Sequence, residues 1–135
     1  MRDGFVQAGA IYLGWTRERY VRAARGDGTW KPLAASTIRG RRKGRGKGKP
    51  EILRDTGVLL NSLSLGAPGS IRREIPDGIE VGTVVKYATH HQNPKVPGRP
   101  PQRKILEYPP PAVLERMRDV VRRAAIKTVQ QLKGK

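Results

Sequence analysis

Cysteine is absent from the 135 residues, so neither a disulfide framework nor a thiolate metal site can form. Aromatic residues are few: two Trp, four Tyr and one Phe. With a hydrophobic share of 36%, the chain is lean for one that must bury a core of its own. No apolar run approaches the ~20 residues of a membrane-spanning helix. The opening MRDGFVQAGAIYLGW is too broken by glycine and polar residues for a secretory leader. A soluble protein made in a cytoplasm, with no membrane partner, is therefore expected. Acid is scarce as well, with 11 Asp and Glu against 28 Lys and Arg, a net charge of +17.

The shortage extends to chemistry. The only histidines are His90 and His91. As neighbours they would point to opposite faces of a strand, and no spacing links them to a nucleophile and an orienting acid. There is no H-x-x-x-H, no H-E-x-x-H and no carboxylate cluster for a metal. The run 40-GRRKGRGKGK-49 lacks the G-x-x-x-x-G-K-[ST] pattern of a phosphate loop. No catalytic residue, metal ligand or cofactor is expected, and the reading is of a protein that is not an enzyme.

Basic charge and loop formers are abundant. Residues 1–38 hold six bases and three acids, 39–49 seven bases and none, 50–108 eight and six, and 109–135 seven and two. The excess sits in the run 39-RGRRKGRGKGK-49 and at the C-terminal end, which implies an anionic partner. The run has no apolar residue after Ile38 and cannot bury itself. A flexible loop at about 39–49 is expected, with Arg39, Arg41, Arg42, Lys43, Arg45, Lys47 and Lys49 as its contact residues. Two surfaces remain open for it, an acidic protein or DNA.

Around this run the pattern reads as α+β. A helix is expected over about 4–25, with Phe5, Ala8, Tyr12 and Trp15 on one face and glycine-rich residues 25–28 as its stop. Asp55 or Thr56 is the expected N-cap of a short helical turn carrying Leu59, Leu60 and Leu63. Strands are expected at about 62–66, 70–75 and 79–87, with Asp77-Gly78 as the hairpin signal. Residues 88–111, which contain seven prolines, read as a long irregular connection. A helix over about 111–132 follows, with Leu114, Met117, Val121, Ala124 and Leu132 on one face. Trp30, Leu53, Leu59, Leu63, Ile79 and Val81 are expected to share one core. The whole is expected to be one domain over 1–135: a small antiparallel sheet packed with N- and C-terminal helices, and a long basic loop.

Five short motifs in order carry a resemblance: 30-WKPL-33, 53-LRDTGVLLNS-62, 78-GIEVGT-83, 87-YATHHQ-92 and 97-PGRP-100. Together they resemble the phage virion morphogenesis family of tail completion proteins, which includes the G protein of phage Mu and the S protein of phage P2. The likeness spans about residues 28–106. It rests on Trp30, Pro32, Leu53, Thr56, Gly57, Leu59, Ser62, Gly82, Tyr87, His91, Gln92, Arg99 and Pro100. Family members follow Arg-Pro with Phe-Leu; here Pro101-Gln102-Arg103 follows, and Ile105-Leu106 is expected to take over the anchoring. The resemblance implies a structural protein of the virion neck or tail end, in the host cytoplasm during assembly. It implies a homo-oligomeric ring, commonly of six copies, that joins tail to head as a tail terminator or connector. The implied partners are copies of itself, tail-tube and connector proteins, and DNA in the neck channel. The rival reading from composition is a small basic nucleic-acid-binding protein.

Overall fold

The computed structural model of the chain describes residues 1–42, 51–53, 57–93 and 101–135. Its elements are α1 (Arg2–Ala24), α2 (Ala35–Arg42), α3 (Val58–Ser62), β1 (Ser70–Ile75), β2 (Gly78–Thr83), α4 (Ala88–Gln92) and α5 (Pro111–Lys133). The fold is α+β: a two-strand antiparallel hairpin and two long terminal helices, with α1 packed against both α5 and β2.

Helix α1 works through small residues. Gly4, Ala8, Gly9, Leu13, Thr16, Tyr20, Ala23 and Ala24 are buried, whereas Phe5, Tyr12 and Trp15 of the expected face are only half-buried. The reason lies in its neighbours. A methyl group on Gly4 would stand 2.6 Å from the Ala124 Cβ of α5, and one on Gly9 would stand 3.3 Å from both Ile79 and Val81 of β2. Absence of a side chain is what lets the two backbones approach. Just past the end of α1, Gly26 and Gly28 take φ of 91° and 92°. Asp27 Oδ1 accepts the Thr29 N–H at 2.8 Å, so Arg25-Gly26-Asp27 belongs to a helix stop.

The C-terminal half of α1 supports the core. Tyr20, Ala23, Ala24, Trp30, Ile52, Leu59, Leu60, Leu63, Ala88 and Ile105 form one buried cluster. Tyr20 and Trp30 meet edge to face at 4.9 Å and 87°, a geometry worth ~0.5–1.5 kcal/mol beyond the area buried. Of the six residues expected to share a core, Trp30, Leu59 and Leu63 are in this cluster and Leu53 packs against it. Ile79 and Val81 lie elsewhere, against Gly9.

The hairpin pairs Ser70 with Thr83 through Ile75 with Gly78. Its loop is therefore Pro76-Asp77 rather than Asp77-Gly78, and neither loop residue has positive φ. This register sets Ile79 and Val81 on the face toward α1, and Ile71 and Ile75 on the other.

Other expectations are corrected. Residues 62–66 are no strand: they end α3 and turn, and Gly57 with φ 81° occupies the N-cap position. Asp55 and Thr56 lie outside the described residues. Strand β2 stops at Thr83, and residues 88–92, expected to be irregular, form α4. The sequence 39–42, expected in a loop, ends α2, because Ala35 to Ile38 start a helix that the first basic residues continue. Helix α5 begins with Pro110 extended and Pro111 in its first turn, where a missing N–H costs nothing. Its face against α1 is centred on Val113, Met117, Val121 and Ala124, and Leu132 is exposed.

Two glycines of α1 should therefore respond oppositely to the same change. Gly14 has nothing within 4 Å of an added methyl, so Gly14→Ala should stabilise by up to ~1 kcal/mol. Gly4→Ala should destabilise by about 1–3 kcal/mol through overpacking against Ala124. Urea unfolding of the two variants checks this, and equal stabilisation by both would refute the α1–α5 contact. Leu59→Ala, in the core, should cost about 2–5 kcal/mol.

Candidate functional site

Four of the ten described motif residues, Trp30, Pro32, His91 and Gln92, converge on one stretch of backbone, residues 102–107. This stretch belongs to no helix or strand, yet Arg103 and Ile105 in it are buried. Buried backbone groups need partners, and side chains from three other parts of the chain supply them. Trp30 Nε1 donates to the Lys104 carbonyl at 3.2 Å. Arg19 donates to the carbonyls of Lys104 and Ile105, and Tyr12 Oη to that of Glu107 at 2.9 Å. Arg19 is itself held 3.4 Å from the Glu107 carboxylate and 5.4 Å from the centre of the Trp15 ring.

Gln92 is the most fully engaged of these side chains. Its Oε1 accepts the N–H groups of Ile105 and Leu106 at 2.8 and 2.9 Å. Its Nε2 donates to the Leu106 carbonyl at 2.7 Å. The side-chain amide thus acts as a peptide group in place of a neighbouring strand. Beside it the Arg103 N–H donates to the His91 carbonyl at 2.8 Å, and Gln102 Nε2 to the Gln92 carbonyl at 3.1 Å. Arg103 also reaches back, donating to the carbonyls of Lys31 at 3.0 Å and Pro32 at 3.2 Å. These bonds seat Ile105, which is buried, and Leu106, which packs on the core. Anchoring by Ile105-Leu106 is as expected.

The remaining motif residues hold the adjoining turns. Leu53 adopts φ 56°, a strained value for a bulky side chain, and its carbonyl accepts the Tyr20 hydroxyl. Ser62 Oγ donates to the Leu59 carbonyl at 2.7 Å and lies 2.6 Å from Thr83 Oγ1, tying α3 to the end of β2. Gly82 is buried under Ile71. Tyr87 is exposed and meets the His91 ring edge to face at 6.5 Å. Pro32, Leu53, His91 and Arg103 line an open cleft of about 730 Å³.

His91 lies within α4, not on a strand, so the adjacent histidines do not occupy opposite faces of a sheet. Its Nδ1 is buried and has no hydrogen-bond partner among the described residues. Burial, then the nearby Arg103 charge, then His90, hold its pKa below the ordinary 6.5. Each of these disfavours the charged form of the ring. Among the described residues no group of three His, Asp or Glu could hold a metal.

The expected basic contact residues divide. Arg39 is exposed on α2 and Arg41 and Arg42 end that helix. Lys43, Arg45, Lys47 and Lys49 lie outside the described residues, as do Thr56, Arg99 and Pro100. Sequence reasoning missed Arg19, Tyr12 and Arg103 as supports of the 102–107 stretch. Arg19 carried no local signal, since its role depends on a contact 85 residues away. Comparison with protein-family models, curated proteins and solved structures returned no match.

Two outcomes are expected. Gln92→Ala, which leaves the Ile105 and Leu106 N–H groups without their acceptor, should cost about 1–3 kcal/mol. Hydrogen exchange should quicken at those two amides first; uniform quickening across the chain would contradict a local clamp. For His91, the folded pKa is depressed, so the unfolded chain binds more protons as pH falls through about 6.5. Stability present above that pH should be lost below it. The melting temperature should thus fall less between pH 7.5 and 5 in His91→Asn than in the wild type, which is checked by thermal melts across that range.

Proposed function

We propose that the chain is a structural virion protein that completes a phage tail and joins it to the head as a ring of identical copies. The reading places it at the virion neck or tail end, in the host cytoplasm during assembly. Six copies, bounded by tail-tube and connector proteins, are proposed for the ring. What supports this most is the use made of the motif residues. Trp30, Ser62 and Gln92 turn their side-chain polar groups onto the chain's own backbone, the Leu53 carbonyl accepts the Tyr20 hydroxyl, and these bonds hold irregular segments in place. A set of residues used in this way serves the shape of a subunit. The basic surface, beginning with Arg39 on α2, is proposed to meet acidic neighbouring rings.

A second reading, direct nucleic-acid binding, draws on α5. Arg116, Arg123 and Lys127 are spaced by seven and four residues, which puts them on one stripe of the helix. None of the three makes an ion pair among the described residues, whereas Arg118 and Arg122 are paired with Glu115 and Asp119. Such an unpaired row suits phosphates.

The test uses particles assembled without this protein. Heads and tails should accumulate separately, and adding purified protein should join them. Joining at normal yield without it would refute the proposal. Replacing Arg39, Arg41, Arg42, Lys43, Arg45, Lys47 and Lys49 by Ser should impair joining and leave the fold intact by circular dichroism. Normal joining with defective DNA packaging or ejection would favour the nucleic-acid reading.

A further inference from the structure

Ten large apolar side chains are exposed among the described residues, and six of them fall in two patches. Scattered exposure is ordinary, but concentration in patches marks a contact surface. One patch is the outer face of the hairpin. Ile71 and Ile75 stand there, turned from α1 by the register. Val84 continues the row, its N–H bonded to the Gly69 carbonyl at 2.9 Å. Gly78 and Gly82 lie across from Ile75 and Ile71. A methyl at either glycine would meet only those isoleucines, at 3.6 Å or more, so the isoleucine side chains lie over the two glycines and form the apolar surface of this face.

The second patch is the last part of α5. Ile126, Val129 and Leu132 follow at three-residue steps, forming one ridge, and are 51%, 49% and 68% exposed. The α1 terminus reaches only as far as Thr128, where the Met1 amino group donates to Oγ1 at 3.2 Å. Beyond Thr128, α5 runs on past the start of α1.

Charge tells which surfaces suit each other. From Val120 to Lys135 there are five bases and no acid. The hairpin holds Glu74, Asp77 and Glu80 against Arg72 and Arg73; its register puts Glu74 and Arg72 on the face toward α1 and the Arg73–Glu80 pair on the outer face, between Ile71 and Ile75. Asp77 at its tip makes no ion pair among the described residues, while Glu74 and Glu80 are paired with Arg72 and Arg73. With Arg73 and Glu80 neutralising each other and Asp77 unpaired among the described residues, this face suits a cationic helix with an apolar ridge better than a polyanion. The same chain supplies that helix.

We propose that the end of α5 from one copy packs its Ile126–Val129–Leu132 ridge onto the Ile71–Ile75–Val84 face of the hairpin of a second copy, with the basic helix end beside Asp77. The contact covers both patches with one another and leaves neither exposed. It rests on the ring reading above and names the surfaces that a ring would use.

The absence of cysteine makes the test direct. Ile75→Cys and Leu132→Cys are made in separate proteins, one carrying a mass tag, mixed, and oxidised with oxidised glutathione. Both positions are exposed, and retained fold is checked by circular dichroism. Disulfide-linked heterodimer should exceed that of Ile75→Cys with Ala10→Cys by about tenfold or more, because contact raises the effective thiol concentration. Equal yields at the highest concentration reached would overturn the contact. Light scattering on the wild type separates the two proposals. Association without enriched capture removes this contact and leaves the ring. Enriched capture in a complex that stops at two copies keeps this contact and removes the ring.

Discussion

The structure depends on one constraint: α1 must serve three neighbours with very little apolar material. Its start meets α5 through Gly4, Gly9 meets β2, and its last turns carry Tyr20, Ala23 and Ala24 into the main cluster. Small residues solve the problem, because they bring the partner close where a large side chain would fill the gap. The two-strand hairpin would be marginal by itself, and α1 covers its inner face. The stretch 102–107 has no strand to pair with, and side chains of α1 and α4 take that role.

What was legible in the sequence follows from how local each signal was. Helix α5 was readable because apolar residues recur at helical spacing behind a proline start. The hairpin was readable because β-branched residues alternate around a turn-forming pair. The face of α1 was not, since glycine and alanine carry no hydrophobic signal and their burial is decided by Ala124 and Ile79 far along the chain. The turn shifted by one residue to Pro76-Asp77, as proline's fixed φ suits a position that needs no left-handed backbone. Helix α4 was hidden by the prolines that follow it, and the basic residues at 39–42 were hidden by glycine. At the candidate site Trp30 and Gln92 stood out as motif residues, but what they bind could not be read, because their partners are main-chain atoms of Lys104, Ile105 and Leu106 and not side chains.

The functional reading follows from the same shortage. A lean subunit that keeps irregular segments in place with buried side-chain hydrogen bonds, and that leaves apolar patches on a hairpin and a helix end, is suited to being completed by neighbours. Its charge distribution fits as well. The body of the hairpin is close to neutral, while α2 and α5 carry the cations outward.

If neighbouring copies complete the subunit, its stability must depend on its own concentration, since anything that binds only the folded state raises the melting temperature by mass action. The decisive measurement is the thermal midpoint of the full chain over a hundredfold range of concentration. The account expects a rise on the order of 5–10 °C for a chain of this size. A midpoint that stays constant across the range would show a subunit sufficient in itself and would contradict the account.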